Sequence, residues 1–146
     1  MTETFRLKIS DAAALLARVV VGVVFIAHGL PKAADLAGTA QGFEAMGIPF
    51  PQFSAFLAVA IEVGAGVALI IGFALPLAGL ALAFMMGAAY FFVHVGDPLV
   101  GGFELLLVLG VAALALGFSG GRYSVDRLLP WGRVRQEQRT TESVPA

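Results

Sequence analysis

Four stretches of this chain are apolar almost throughout, and short polar or glycine- and proline-bearing segments separate them. They run from about Ala12 to Leu30, Phe53 to Phe73, Leu75 to Val95 and Gly102 to Phe118. Each is close to the roughly 20 residues needed to cross about 30 Å of hydrocarbon. Backbone polar groups in lipid must find partners within the segment, so these stretches predict helices rather than open strands. Gly72 to Pro76 reads as a tight turn, and Gly96-Asp97-Pro98 opens another. Short connections make antiparallel neighbours, so the pattern predicts an all-α, integral membrane four-helix bundle. The longer link from Pro31 to Gln52 carries Phe43, Met46, Ile48 and Phe50 and is expected on the interface or over the bundle mouth. Pro49 and Pro51 exclude one regular helix through all of it. A single four-span domain is expected over residues 1–130, with a polar cytoplasmic tail over 131–146, disordered from Gln136 onward.

Charge orients the bundle. Arg6 and Lys8 precede the first span, and Arg122, Arg127, Arg133, Arg135 and Arg139 follow the last, while the two outer links carry only Lys32. Both termini are therefore expected in the cytoplasm, as an even number of spans requires. Tyr123 and Trp131 suit the inner interfacial belt. A cleaved signal would also begin with basic residues, but Arg18 interrupts its apolar core, so the first span is read as retained.

Composition narrows the chemistry. The chain is 59% hydrophobic and 13% charged, against about 45–50% and 25% for a soluble domain. It has no cysteine, which excludes a dithiol site, a thiolate metal site and an iron–sulfur cluster held by this chain alone. No basic run with interleaved aromatics occurs outside the tail, so nucleic acid is not an expected partner. No clear internal repeat is present.

Against this background a string of ionisable residues stands out: Arg18, His28, Glu62, His94 and Glu104 lie in or beside the spans. A charge at a helix centre costs roughly 2.5–3.5 kcal/mol on insertion scales, so such groups are expected to face one another inside the bundle. At 100° per residue, Arg18, His28 and Lys32 share a sector of about 80° on the first helix. Depth counting puts Arg18 somewhat inside the midplane and Glu62 near it, which predicts an Arg18–Glu62 ion pair whose plainest role is to fix packing. His28, Lys32, His94 and Glu104 fall towards the outer end. Glu104 suits a helix first turn, and the Lys32 stem could snorkel to the headgroups. Three site readings follow for this cluster. It could be a metal site of two imidazoles and carboxylates, a haem held by His28 and His94, or a pocket for a polar-headed hydrophobic molecule such as a quinone. Gly79, Ala83 and Gly87 form a ridge of small residues on the third span, and Gly64 and Gly66 flank Glu62, as close helix packing in lipid requires. Phe84, Met85, Met86, Tyr90, Phe91 and Phe92 are most simply packing and lipid contact.

Several segments together carry a resemblance. Phe25-Ile26-Ala27-His28-Gly29-Leu30-Pro31-Lys32, Met46-Gly47-Ile48-Pro49-Phe50-Pro51, Glu62-Val63-Gly64-Ala65-Gly66 with Gly72, and Gly121-Arg122-Tyr123-Ser124-Val125-Asp126 resemble the DoxX family of small bacterial membrane proteins. The order and spacing match from about Arg18 to Leu129. The resemblance implies a four-helix inner-membrane protein, and the family takes its name from a subunit of an archaeal quinone-linked oxidoreductase. The family pattern matches Arg18, His28, Lys32, Glu62, His94 and Glu104. Ser119-Gly120-Gly121-Arg122 lacks a proline expected near that turn, and cysteine-based quinone reductases of similar architecture are excluded.

The leading expectation is thus a small subunit or accessory of a membrane redox system, which holds a quinone-like ligand or docks redox-enzyme subunits. Arg18–Glu62 would set its core, and His28, His94 and Glu104 would contact the ligand or relay protons. A small-molecule or proton-coupled transport module with Glu62 as coupling site, and a purely structural anchor whose Arg-bearing tail meets a cytoplasmic protein or anionic lipid, are the other classes. Reaction, ligand, haem or metal content and oligomeric state are not given by the sequence.

Overall fold

The computed structural model describes residues 3–119 and 123–129, with side chains from residue 5. Trp131 and the tail expected to be disordered lie outside the described residues. The first helix, α1 (Glu3–Ala34), is one unbroken rod that passes Pro31 in its last turn. It starts well before the expected Ala12, because nothing between Glu3 and Ala12 breaks a helix. Asp35 then caps α2 (Leu36–Ala45), accepting a hydrogen bond from the Gly38 amide at 2.8 Å. The expected interruption of the Pro31–Gln52 link occurs at Gly47, whose φ of 73° is left-handed. Pro51 opens α3 (Pro51–Ile71), where a missing amide costs nothing.

Gly72, at φ 76°, ends α3 and turns the chain into α4 (Leu75–His94). A wide irregular turn over Leu99–Phe103, with Gly101 at φ 80°, leads to α5 (Glu104–Ser119). A 3₁₀ turn, Val125–Leu128, follows. Four helical segments are long and apolar enough to cross a membrane, and no strand occurs among the described residues.

Close backbone approach fixes how the helices pair. A Cβ built on Gly22 would lie 2.7 Å from the Gly66 carbonyl oxygen, so α1 and α3 touch there. A Cβ on Gly79 would lie 2.5 Å from the Ala113 carbonyl oxygen and 2.8 Å from Gly117 Cα, so α4 and α5 touch as well. Between these contacts sits a core of Phe25, Leu69, Leu75, Leu82, Leu109, Ala113 and Leu116. Burial is uneven along the bundle. On α4 the buried residues end at Leu82, and on α5 they begin at Leu109. The α4–α5 seam is thus buried from its inner end to about the middle of α5, and beyond that its contacts, such as Met86 on Gly110 and Tyr90 on Phe103, are only partly covered.

Candidate functional site

The six expected polar residues do not form one cluster. They occupy three levels of the bundle. Arg18 is 1% exposed and lies against the turn at Gly72. Its Nη2 donates to the Tyr123 carbonyl oxygen, and the Asp126 carboxylate acts on it electrostatically. Asp126 does more. Its two carboxylate oxygens accept from the amides of Ala74 at 2.7 Å and Leu75 at 2.9 Å, and its own amide donates to the Gly72 carbonyl at 2.9 Å. Those are orphan donors at the start of α4, whose cap position is Ala74 and has no side chain to satisfy them. The segment after α5 thus folds back and clasps the inner turn.

Glu62 is 4% exposed and lies level with Gly29, whose added Cβ would meet Glu62 Cβ at 3.0 Å. Its partner is Lys32, with Nζ 2.7 Å from Oε1 and 2.6 Å from Oε2. The expected Arg18–Glu62 pair is therefore corrected. Ten residues of helix separate Glu62 from Gly72, or about 15 Å; Arg18 sits at the Gly72 level and cannot reach that far. The two residues therefore sit at different levels of the bundle, Glu62 beside Gly29 and Arg18 beside Gly72. Lys32 is corrected too. Its stem turns back towards the midplane instead of snorkelling outward, in the direction that helical Cβ bonds favour. Around Glu62, over Ala60–Ala65, the helix widens into π-type turns, a distortion that recurs at functional positions in other helices.

His28 is exposed, and its Nδ1 lies 2.8 Å from the Val24 carbonyl oxygen. His94 Nδ1 lies 2.8 Å from Asp97 Oδ2. A carbonyl and a carboxylate only accept, so Nδ1 is the donor in each ring; in neutral imidazole this leaves Nε2 as an acceptor. Glu104 is exposed at the start of α5. Among the described residues no group of three or more His, Asp or Glu side chains converges to hold a metal ion, so the donor set does not fit the metal reading.

One feature at this end was not legible from the chain. Along the outer part of the α4–α5 seam runs an apolar groove of about 270 Å³. Ala83, Met86, Gly87 and Leu106 are among the residues lining it, and Tyr90 and Phe103 meet edge to face at 4.9 Å beside it. None of the six expected polar residues, Arg18, His28, Lys32, Glu62, His94 and Glu104, lines it. His94 follows Tyr90 by one turn of wide helix, and Glu104 follows Phe103 directly. The small-residue ridge accordingly divides: Gly79 packs against a backbone, while nothing lies within 4 Å of a Cβ on Gly87.

The family model described as DoxX matches residues 13–95, more than half of the chain. The chain belongs to the DoxX family. This DoxX protein is 33% identical over 109 residues to the Bacillus subtilis protein named "Putative oxidoreductase CatD", covering 75% of this chain and 80% of that one. It is 32% identical over 120 residues to "Inner membrane protein YphA" of Escherichia coli, covering 70% and 86%. A second Escherichia coli relative, "Inner membrane protein YqjF", is 34% identical over 135 residues, covering 84% and 95%. No solved structure matches it. Its four apolar spans and its DoxX relatives establish a multi-pass bacterial inner-membrane protein. The inner clasp supplies two residues beyond the matched segment whose roles were missed, Tyr123 and Asp126. A signal for them was present: α4 begins Ala74-Leu75-Pro76 with no Ser, Thr, Asp or Asn to cap it, so a cap from elsewhere in the chain was required.

Proposed function

We propose that this protein is an accessory of a membrane redox system and that it holds a quinone-like molecule in the outer half of its bundle. The groove between α4 and α5 carries this reading. Its walls are apolar, as a quinone body requires, and Tyr90 lines it. His94, oriented by Asp97, and Glu104 follow the lining residues Tyr90 and Phe103 along the chain, and we assign them to the quinone oxygens. A small apolar site with a few convergent polar groups is the usual form of a ligand pocket. A relative bears the name of an oxidoreductase, in line with a redox setting. Here Lys32–Glu62 joins α1 to α3 and Arg18 closes the inner end; His28 stays outside the groove. The test is photolabelling with a quinone carrying a reactive tail, in vesicles containing the whole protein. Labels on Ala83, Gly87 or Leu107, reduced several-fold by His94→Ala with Tyr90→Phe, are expected. Labelling that is spread evenly over all lipid-facing residues overturns the proposal.

A transport reading is favoured by a different observation: Glu62 is buried near midspan at a π-type distortion and neutralised by Lys32. Paired intramembrane charges serve as coupling sites in carriers. Proteoliposome flux driven by a pH gradient and abolished in Glu62→Gln, with quinone labelling unchanged, would select it.

A further inference from the structure

The N-terminal part of α1 extends beyond the rest of the bundle. Arg18 marks the level of the inner turn at Gly72, yet the helix begins at Glu3. From Phe5 to Arg18 is 13 residues, or about 20 Å of helix. The headgroup layer of one leaflet is only about 5–8 Å deep. A perpendicular rod would carry Phe5, which is 52% exposed, and Ile9, 48% exposed, out into water.

The positions of the side chains argue against that. At 100° per residue, Phe5, Ile9, Ala12, Ala13 and Leu16 form one stripe about 100° wide, centred roughly opposite Arg18. The stripe points away from the bundle and runs on without a break into Val20, Val23, Ala27 and Leu30, the exposed face of the span itself. From Phe5 to Leu30 it measures about 38 Å, against about 30 Å of hydrocarbon. Arg6 and Lys8 flank it on opposite sides, about 70° and 90° from its centre. This is the pattern of a helix end that slants through a membrane surface, with its apolar face against lipid and its cations at the phosphate level.

We infer that α1 tilts so that its first three turns slant through the inner-leaflet interface with the Phe5–Leu16 stripe against lipid, and that Arg6 and Lys8 there bind anionic lipid headgroups. The continuous apolar stripe favours the lipid surface as occupant, and the placement of Arg6 and Lys8 at its edges, with Asp11 on the face turned away, favours an acidic one. The length mismatch is then absorbed by tilt of α1.

The absence of cysteine allows a clean test on the whole protein. Single Ile9→Cys and Ser10→Cys variants are spin-labelled in vesicles of phosphatidylcholine alone or with about a third phosphatidylglycerol. The label at position 9 is expected to meet dissolved oxygen rather than an aqueous nickel chelate, and the label at position 10 the reverse. Adding phosphatidylglycerol is expected to lower nickel access at position 9 several-fold. Arg6→Gln with Lys8→Gln is expected to remove that dependence. Equal nickel access at both positions would show a solvated rod and overturn the inference. So would a label at position 9 shielded from both reagents, which means protein covers the stripe, or a depth indifferent to anionic lipid.

Discussion

The inner and outer ends of α4 and α5 are built from the same composition and arrive at opposite structures. At the inner end Gly79 meets Ala113 and Gly117 backbone to backbone, and Leu75 and Leu82 are buried. At the outer end Gly87 faces open space, and Phe84 and Phe91 lie exposed at 66% and 69%. Hydropathy does not separate the two ends, since both are apolar and lipid tolerates either arrangement. What separates them is polar closure. Asp126, Gly72 and Arg18 tie the inner ends together, whereas the outer ends join through the wide turn at Val95–Phe103. Lipid exerts no hydrophobic pressure between helices, so a bundle shuts where hydrogen bonds and small residues close it and opens where they do not.

This contrast can be broken. The largest effect is expected from Arg18→Leu, which leaves Asp126 with its charge unmatched at the clasp; loss of one partner of a buried ionic arrangement costs about 3–5 kcal/mol. Reversible denaturation in mixed micelles should show a loss of that order, and a loss under about 1 kcal/mol would mean that the clasp is ornamental. Glu62→Ala should cost a similar amount by stranding the Lys32 ammonium. The double variant Glu62→Leu with Lys32→Leu should recover most of it, because a well-packed apolar pair replaces a buried ion pair at little net cost. If the double variant is instead stable and inactive, the pair serves chemistry rather than packing.

Next comes the glycine pair on α4. Gly79→Leu forces apart two touching backbones and should destabilise by about 1–3 kcal/mol or more. Gly87→Leu, two turns away on the same helix, should leave stability unchanged while filling the groove and cutting quinone labelling several-fold. Equal effects on stability would erase the proposed difference between the ends. The smallest effect is expected from Asp35→Ala, which removes only the acceptor of the Gly38 amide at the start of α2, for about 1 kcal/mol as for other helix caps.

The sequence made the spans legible to within a few residues, apart from the start of α1. Apolar runs are set by the thickness of hydrocarbon, and each could be read without reference to its neighbours. Vertical register was not legible. Arg18 and Glu62 share a bundle interior, yet the Gly22–Gly66 contact sets α1 against α3 so that Lys32, and not Arg18, meets the carboxylate. Facing direction repeats every 3.6 residues, but an axial shift leaves that pattern unchanged, so angular reasoning alone could not choose between the two cations. The groove was illegible for a related reason: a helix face that opens and one that packs are spelled with the same alanines, leucines and glycines.

The Asp126 cap also constrains how the protein is made. Helix α4 starts 52 residues before the side chain that satisfies the Ala74 amide is synthesised. At about 5–20 residues per second, the ribosome delivers that side chain about 3–10 s later. During that interval the third span has entered the membrane with its first turn unfinished. A nascent chain cut short before Asp126 would hold all four spans yet lack the carboxylate that caps α4, so the inner turn is finished only after the last span has been made.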